Sequence, residues 1–199
     1  MSNDTRQRRV RALVRELNRR RKKQALRTDI LCNDLLAAQR AFVAQLREIA
    51  FAAAFYKALV APSDLHELLT TAAGLIRQQW PACGAAFFLR DEHGEQVTVF
   101  DSGRAVDPIR DCLDACFNGR LIDRVCTAGK PCTLDDLYEL GMSTEPRWLK
   151  GISAVAVPLV RPSERIGFIF LYTPMDQPLT PRQITALANL APTLARAIQ

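Results

Sequence analysis

The sequence predicts an α+β domain with a mainly antiparallel sheet, preceded by one long N-terminal helix. Three observations lead there. The first 61 residues hold neither glycine nor proline: the first proline is Pro62, the first glycine is Gly74, and all 11 prolines and 9 glycines lie beyond residue 61. Residues 31–59 keep an apolar side chain at nearly every position of a heptad seam. Beyond Pro62, periodicity and turn residues spell helix, hairpin, short helices, short strand, hairpin, helix.

The helix comes first. With a at Val14, Arg21, Thr28, Leu35, Phe42, Ile49 and Tyr56, the d positions are Val10, Leu17, Gln24, Leu31, Ala38, Gln45, Ala52 and Leu59. From Leu31 to Leu59, eight of nine seam positions are apolar, Gln45 being the exception, whereas Arg21, Gln24 and Thr28 make the seam polar above it. A helix of roughly 55 residues would reach about 80 Å at about 1.5 Å per residue. A lone helix of that length cannot bury its own stripe. The expectation is a parallel homodimer, a coiled coil through residues 31–60, with fold-back onto the same domain as the alternative.

Charge divides the chain at the same place. Residues 1–60 carry fourteen Lys/Arg against five Asp/Glu, a net +9, while residues 61–199 carry thirteen against sixteen, a net −3. Ten of the basic residues lie between Arg6 and Lys23. They form a solvated helix end, a phosphate-binding segment for nucleic acid or a contact for an anionic membrane. The segment has no aromatic residue to stack on bases. No run of 18 apolar residues and no apolar signal sequence is legible, so a cytoplasmic location without a transmembrane segment is expected.

The second helix starts at Ser63-Asp64-Leu65-His66-Glu67, with Ser63 as N-cap, and shows an apolar face of Leu65, Leu68, Leu69, Ala72, Leu75 and Ile76. Gly84–Arg90 and Gln96–Phe100 are strands joined by the Asp91–Gly94 turn. Helical pieces at Pro108–Phe117 and Leu121–Thr127 follow, then a short strand at Pro131–Thr133. Asp135-Asp136 reads as a turn or a helix cap. Ile152–Val160 and Arg165–Tyr172 form a second hairpin. Thr180 caps the closing helix with Pro181 in its first turn, and Pro192 is expected to kink it. Helices from the two ends should cover one face of the sheet. The middle helices should cover the other and roof a cavity.

Six cysteines occur: Cys32, Cys83, Cys112, Cys116, Cys126 and Cys132. Cys112 and Cys116 share a helix face, and Cys126 and Cys132 flank the next turn. They read as small buried hydrophobes or as a thiol redox or metal-ligand set. The spacing is not the Cys-x-x-Cys of common zinc and redox motifs. His66 and His93 read as surface residues.

Three segments carry a family resemblance. Leu121-Ile-Asp-Arg-Val-Cys-Thr-Ala-Gly-Lys-Pro-Cys-Thr-Leu-Asp-Asp136 has a helix, a Gly-x-Pro turn, a short strand and an acidic ending. Ile152–Val160 with Arg165-Ile-Gly-Phe-Ile-Phe-Leu171 makes a closing hairpin, and Leu179-Thr-Pro-Arg-Gln-Ile-Thr-Ala-Leu-Ala188 opens a closing helix. Together they resemble a GAF domain over residues 60–199, which implies a GAF-like antiparallel sheet with helices on both faces, and a sensor or interaction role. The family's Asn-Lys…Phe…Asp-Glu cyclic-nucleotide pattern and the Cys-His of its bilin-binding members are absent. So are the Gly-Val-Cys-Gly and Ile-Ala-Cys-Asp runs of the free-methionine sulfoxide reductases.

The expectation is therefore a basic helix and coiled-coil segment over 1–60 and a GAF-like domain over 61–199. The chain is read as a non-catalytic, cytoplasmic, dimeric sensor or adaptor. Its candidate ligand-lining residues are Phe100, Ser102, Cys112, Cys116, Cys126, Trp148 and Ser153, and no metal site is expected. The expected partners are a second copy, a small-molecule ligand and a signalling protein. A nucleic-acid-binding adaptor and a thiol redox sensor are the alternatives. The sequence names no cofactor.

Overall fold

The computed structural model of the chain describes residues 2–62, 64–90, 96–100, 116–142, 149–162 and 164–198. By its internal contacts the chain divides into two units, Met1–Ile49 and Ala50–Gln199.

Helix α1 runs Ser2–Ala58. Nothing interrupts it because no glycine or proline precedes Pro62, and backbone that approaches a proline leaves the helical region. Unit one consists of the part of α1 up to Ile49. It exposes Leu13, Leu17, Leu31, Leu35, Phe42, Leu46 and Ile49.

The second unit takes in the last turns of α1, then α2 (Leu65–Gln79), β1 (Gly84–Arg90), β2 (Gln96–Phe100), α3 (Gly119–Ala128), β3 (Cys132–Thr133), α4 (Leu134–Glu139), β4 (Ile152–Arg161), β5 (Glu164–Pro174) and α5 (Pro181–Ala197). Among the described residues the sheet has five strands in the order β2-β1-β5-β4-β3, and every neighbouring pair is antiparallel. The period of two along each strand makes two cores. Ala85, Phe87, Leu89, Val155, Val157, Leu159, Ile169 and Leu171 face α2 and α5. Ala86, Phe88, Ala154, Ala156, Phe168, Phe170 and Tyr172 face α3 and α4. End helices on one face and middle helices on the other is the expected layering.

Caps agree with the sequence at α5, where Thr180 and Gln183 form a capping box with Pro181 in the first turn. The helix continues through Pro192. At α2 the cap is Asp64, not Ser63: the Asp64 carboxylate accepts the Glu67 backbone N–H at 2.7 Å. An ionised acceptor at a helix N-terminus binds its N–H more strongly than a hydroxyl. Ser63, the turn at 91–94, His93 and all but the last two residues of the helix expected at Pro108–Phe117 lie outside the described residues.

The largest departure from expectation is in α1. Leu59, expected on the dimer seam, is 8% exposed and belongs to the core with Phe51 and Phe55, and Ala52 packs against that core. Phe51 meets Trp80 edge-on, with ring centroids 5.0 Å apart. A helix of 3.6 residues per turn drifts about 20° per heptad against a strict 3.5 repeat. Over four heptads the d position drifts by about 80°, so Leu59 no longer shares the azimuth of Leu31. The stripe that stays exposed is Leu31, Leu35, Ala38, Phe42, Leu46, Ile49, Ala53, Tyr56 and Val60. Its steps of three and four follow an 11-residue repeat (31, 42, 53; 35, 46; 38, 49, 60), and Leu46 stands where the heptad frame had Gln45.

Candidate functional site

The expected pocket face is the side of the sheet beneath α3. Asn118 caps α3 by accepting the Leu121 N–H at 3.0 Å, and Gly129, at φ 63°, ends it in the left-handed conformation. Between those stops Leu121, Ile122, Val125 and Cys126 turn inward. Three polar contacts fasten the helix. Arg90 on β1 pairs with Asp123 at 2.6 Å. Arg124 donates to the Leu140 carbonyl at 2.6 Å. The Cys126 thiol donates to the Gly167 carbonyl at 3.0 Å.

Beneath α3 sits an aromatic cluster. The Phe88 ring lies 4.4 Å from Phe117, 5.1 Å from Phe168 and 6.4 Å from Phe170, and Phe117 lies 5.0 Å from Phe170. Tilted and stacked rings at these separations add attraction beyond their buried area. Tyr172 extends the row, 6.0 Å from Phe170. Its ring occupies the space over Gly84, where any side chain would collide with it.

The thiols here are protonated. Burial pushes Cys126 from its ordinary 9.0 up to about 11, and the Asp123 charge adds to that. Cys132 is also raised, first by burial and then by Asp136, and its thiol donates to the Lys130 carbonyl at 3.4 Å. Neutral thiols are poor nucleophiles and poor metal ligands, so a redox or metal reading of Cys126 and Cys132 gains nothing from their setting. Asp136 is a cap. Its carboxylate accepts the Thr133 N–H at 2.7 Å and the Thr133 hydroxyl at 2.6 Å, and these bonds hold its carboxyl below the usual range. Among the described residues no group of three or more His, Cys, Asp or Glu side chains is placed to hold a metal.

Of the expected lining residues, Cys116 and Cys126 come together in the α3-side core. Phe100 takes the register position opposite Ala86. Ser153 does not join them. It is half-buried, pairs with Thr173, and shares its strand parity with Val155 and Val157, which face α2 and α5. Strand alternation puts it on the wrong side of the sheet. Ser102, Cys112 and Trp148 lie outside the described residues. Sequence reading missed Phe88, Phe117, Phe168 and Phe170; the signal was the aromatic residue at every second position of β5, Phe168, Phe170 and Tyr172.

Solved structures share this fold. The GAF domain of a phosphoenolpyruvate-protein phosphotransferase from Coxiella burnetii superposes with a TM-score of 0.56 at 17% identity, covering 77% of this chain and 93% of its own. The corresponding Acinetobacter domain gives 0.54 at 13%, covering 76% and 92%. A GAF domain/HD domain protein from Geobacter sulfurreducens gives 0.55 at 16%, covering 68% and 93%. No curated protein matches the sequence. The family model described as GAF domain matches residues 62–199, and the chain therefore belongs to the GAF domain family.

Proposed function

We propose that this protein is a non-catalytic, cytoplasmic signalling module, a dimeric GAF sensor or protein-interaction adaptor whose subunits pair along α1. The observation that carries the reading is the exposed stripe from Leu31 to Val60 on a helix whose last turns bury Phe51, Phe55 and Leu59 elsewhere. One helix thus has two apolar sides, and its own domain satisfies only one. Leu31, Leu35 and Ile49 are each 65% exposed or more. A periodic stripe of this kind is matched best by a second helix with the same period, in parallel and in register. Its 11-residue repeat favours a straight or slightly right-handed pair over a left-handed coil. Functionally, residues 1–60 then form the basic and pairing segment and residues 61–199 the GAF-like part, with α1 joining the two at Phe51 and Phe55.

The ligand arm of the proposal places a small molecule on the α3 side, bounded by Cys116, Cys126 and Phe100, with Ser102, Cys112 and Trp148 as further lining residues. A ligand there would reach the sheet through the Phe88–Phe117–Phe168–Phe170 cluster and would act on α3. Among the described residues no helix is long and apolar enough to cross a membrane.

Native mass spectrometry of the protein as purified tests both arms. A dimer that retains a small molecule supports the sensor, and a dimer without one supports the adaptor. Leu46→Glu should give a monomer with unchanged helical circular dichroism per residue. A wild-type protein that stays monomeric at tens of micromolar overturns the pairing.

A further inference from the structure

The basic part of α1 has a sidedness that its composition does not show. Arg8, Arg11, Arg15, Arg19 and Lys22 are all exposed and follow one another at steps of three, four, four and three. At about 100° per residue those steps put five cations in one file over roughly 21 Å of helix. Leu13 and Leu17 share the azimuth of the seam that begins at Leu31, about half a turn away from the basic file. Glu16 is the sole carboxylate between residues 5 and 28, and it is held by Arg20 at 3.0 Å, off the file. Asn18, Lys23 and Leu26 line the same surface as Arg15, Arg19 and Lys22.

We infer that this file is a binding surface for the phosphate backbone of duplex nucleic acid, without sequence preference. Four observations favour that partner. Eight of the ten basic residues between Arg6 and Lys23 are arginines, whose planar forks match phosphate oxygens in pairs. A helix of about 10–12 Å diameter fits the major groove, about 12 Å wide. The segment has no aromatic residue before Phe42, so it lacks the stacking platform a single strand requires. An anionic membrane is disfavoured because a surface helix buries its apolar side in the bilayer, and a partner helix would already cover Leu13 and Leu17. That last point rests on the paired-helix reading above, in which pairing covers the apolar side and turns the two basic files outward, away from each other. One duplex then meets one file.

The test uses the full-length protein and a fluorescent 30-base-pair duplex of mixed sequence, followed by anisotropy between 50 and 200 mM salt. Five phosphate contacts predict a log–log salt slope of about −4.5, a loss of affinity of about 500-fold across that range. The variant R11Q/R15Q/R19Q/K22Q should reduce the slope to about −1. The control R9Q/R20Q/R21Q/R27Q removes the same charge from other azimuths and should change the slope by less than about one. No binding at 50 mM salt, equal loss in both variants, or binding confined to vesicles containing phosphatidylserine overturns the inference. Sedimentation of the same samples reads the dimer separately. A monomer that keeps file-dependent binding removes the pairing and leaves the basic file standing.

Discussion

Two phenylalanines on α1 should behave in opposite ways when cut to alanine. Phe55 is 1% exposed, and its ring lies 5.8 Å from Phe51 in the core. Truncating a core phenylalanine costs about 3–5 kcal/mol, the lost transfer energy plus the cavity. Alanine's better helix propensity returns at most about 0.7 kcal/mol, so a net loss of about 2–4 kcal/mol is expected. That is a large share of the roughly 5–15 kcal/mol that holds a domain together. Phe42 is 58% exposed, so Phe42→Ala should change the stability of the domain by no more than about 0.5 kcal/mol. Its cost should fall on pairing. Burying each Phe42 ring against the partner is worth about 1.5–3 kcal/mol. A dimer loses two rings, so its dissociation constant should rise by about 10²- to 10⁴-fold. Urea unfolding followed by far-ultraviolet circular dichroism, at a protein concentration where both variants are monomeric, reads the first effect. Sedimentation velocity across a dilution series reads the second. Equal destabilisation by the two variants, or a Phe55→Ala protein as stable as wild type, would refute the assignment of the two helix faces.

Gly167 and the thiols make further predictions. Gly167 sits at φ 152° beside a register shift in the closing hairpin, and any Cβ there would collide with the Phe88 carbonyl. Gly167→Ala should therefore cost at least about 1–3 kcal/mol from backbone strain alone and lower the thermal midpoint by several degrees. A midpoint within one degree of wild type would contradict the close approach of β1 and β5. Cys126 has its folded pKa raised from 9.0 to about 11, so the folded state holds its proton more tightly than the unfolded state. Its contribution is complete below pH 9 and is lost as pH rises from 9 through about 11. Urea midpoints measured across that window should fall in wild type and fall less steeply in Cys126→Ala. At pH 7.5 a thiol reagent should label exposed Cys32 first and reach Cys126 and Cys132 only on unfolding.

Much of the fold was legible because its signals are local. A glycine- and proline-free stretch, the Thr180-Pro181 start and the apolar run of β4 each act within a few residues, and they placed α1, α5 and the closing hairpin. The candidate site was legible only in part. Cys116 and Cys126 were both expected in the segments that roof the pocket, but helical spacing paired Cys116 with Cys112 instead, and it took the fold to bring Cys116 and Cys126 into one core. Ser153 was misplaced because its face depends on strand parity relative to the neighbouring strands. The aromatic cluster was missed because Phe88, Phe117 and Phe168 come from three separate segments, and only chain folding brings their rings within 4.4 to 5.2 Å.

The same division runs through α1. Sequence alone determined that one uninterrupted helix occupies the glycine- and proline-free stretch before Pro62, that its apolar residues recur every three or four positions, and that its charge is concentrated before residue 24. Those properties follow from backbone propensity and composition, which need no tertiary partner. Which apolar residues face the domain and which stay outside was decided only by the tertiary structure. The seam drifts around the helix by a small angle at each repeat, and its azimuth has no meaning until the core that holds Trp80 supplies a surface for Phe51, Phe55 and Leu59 to meet.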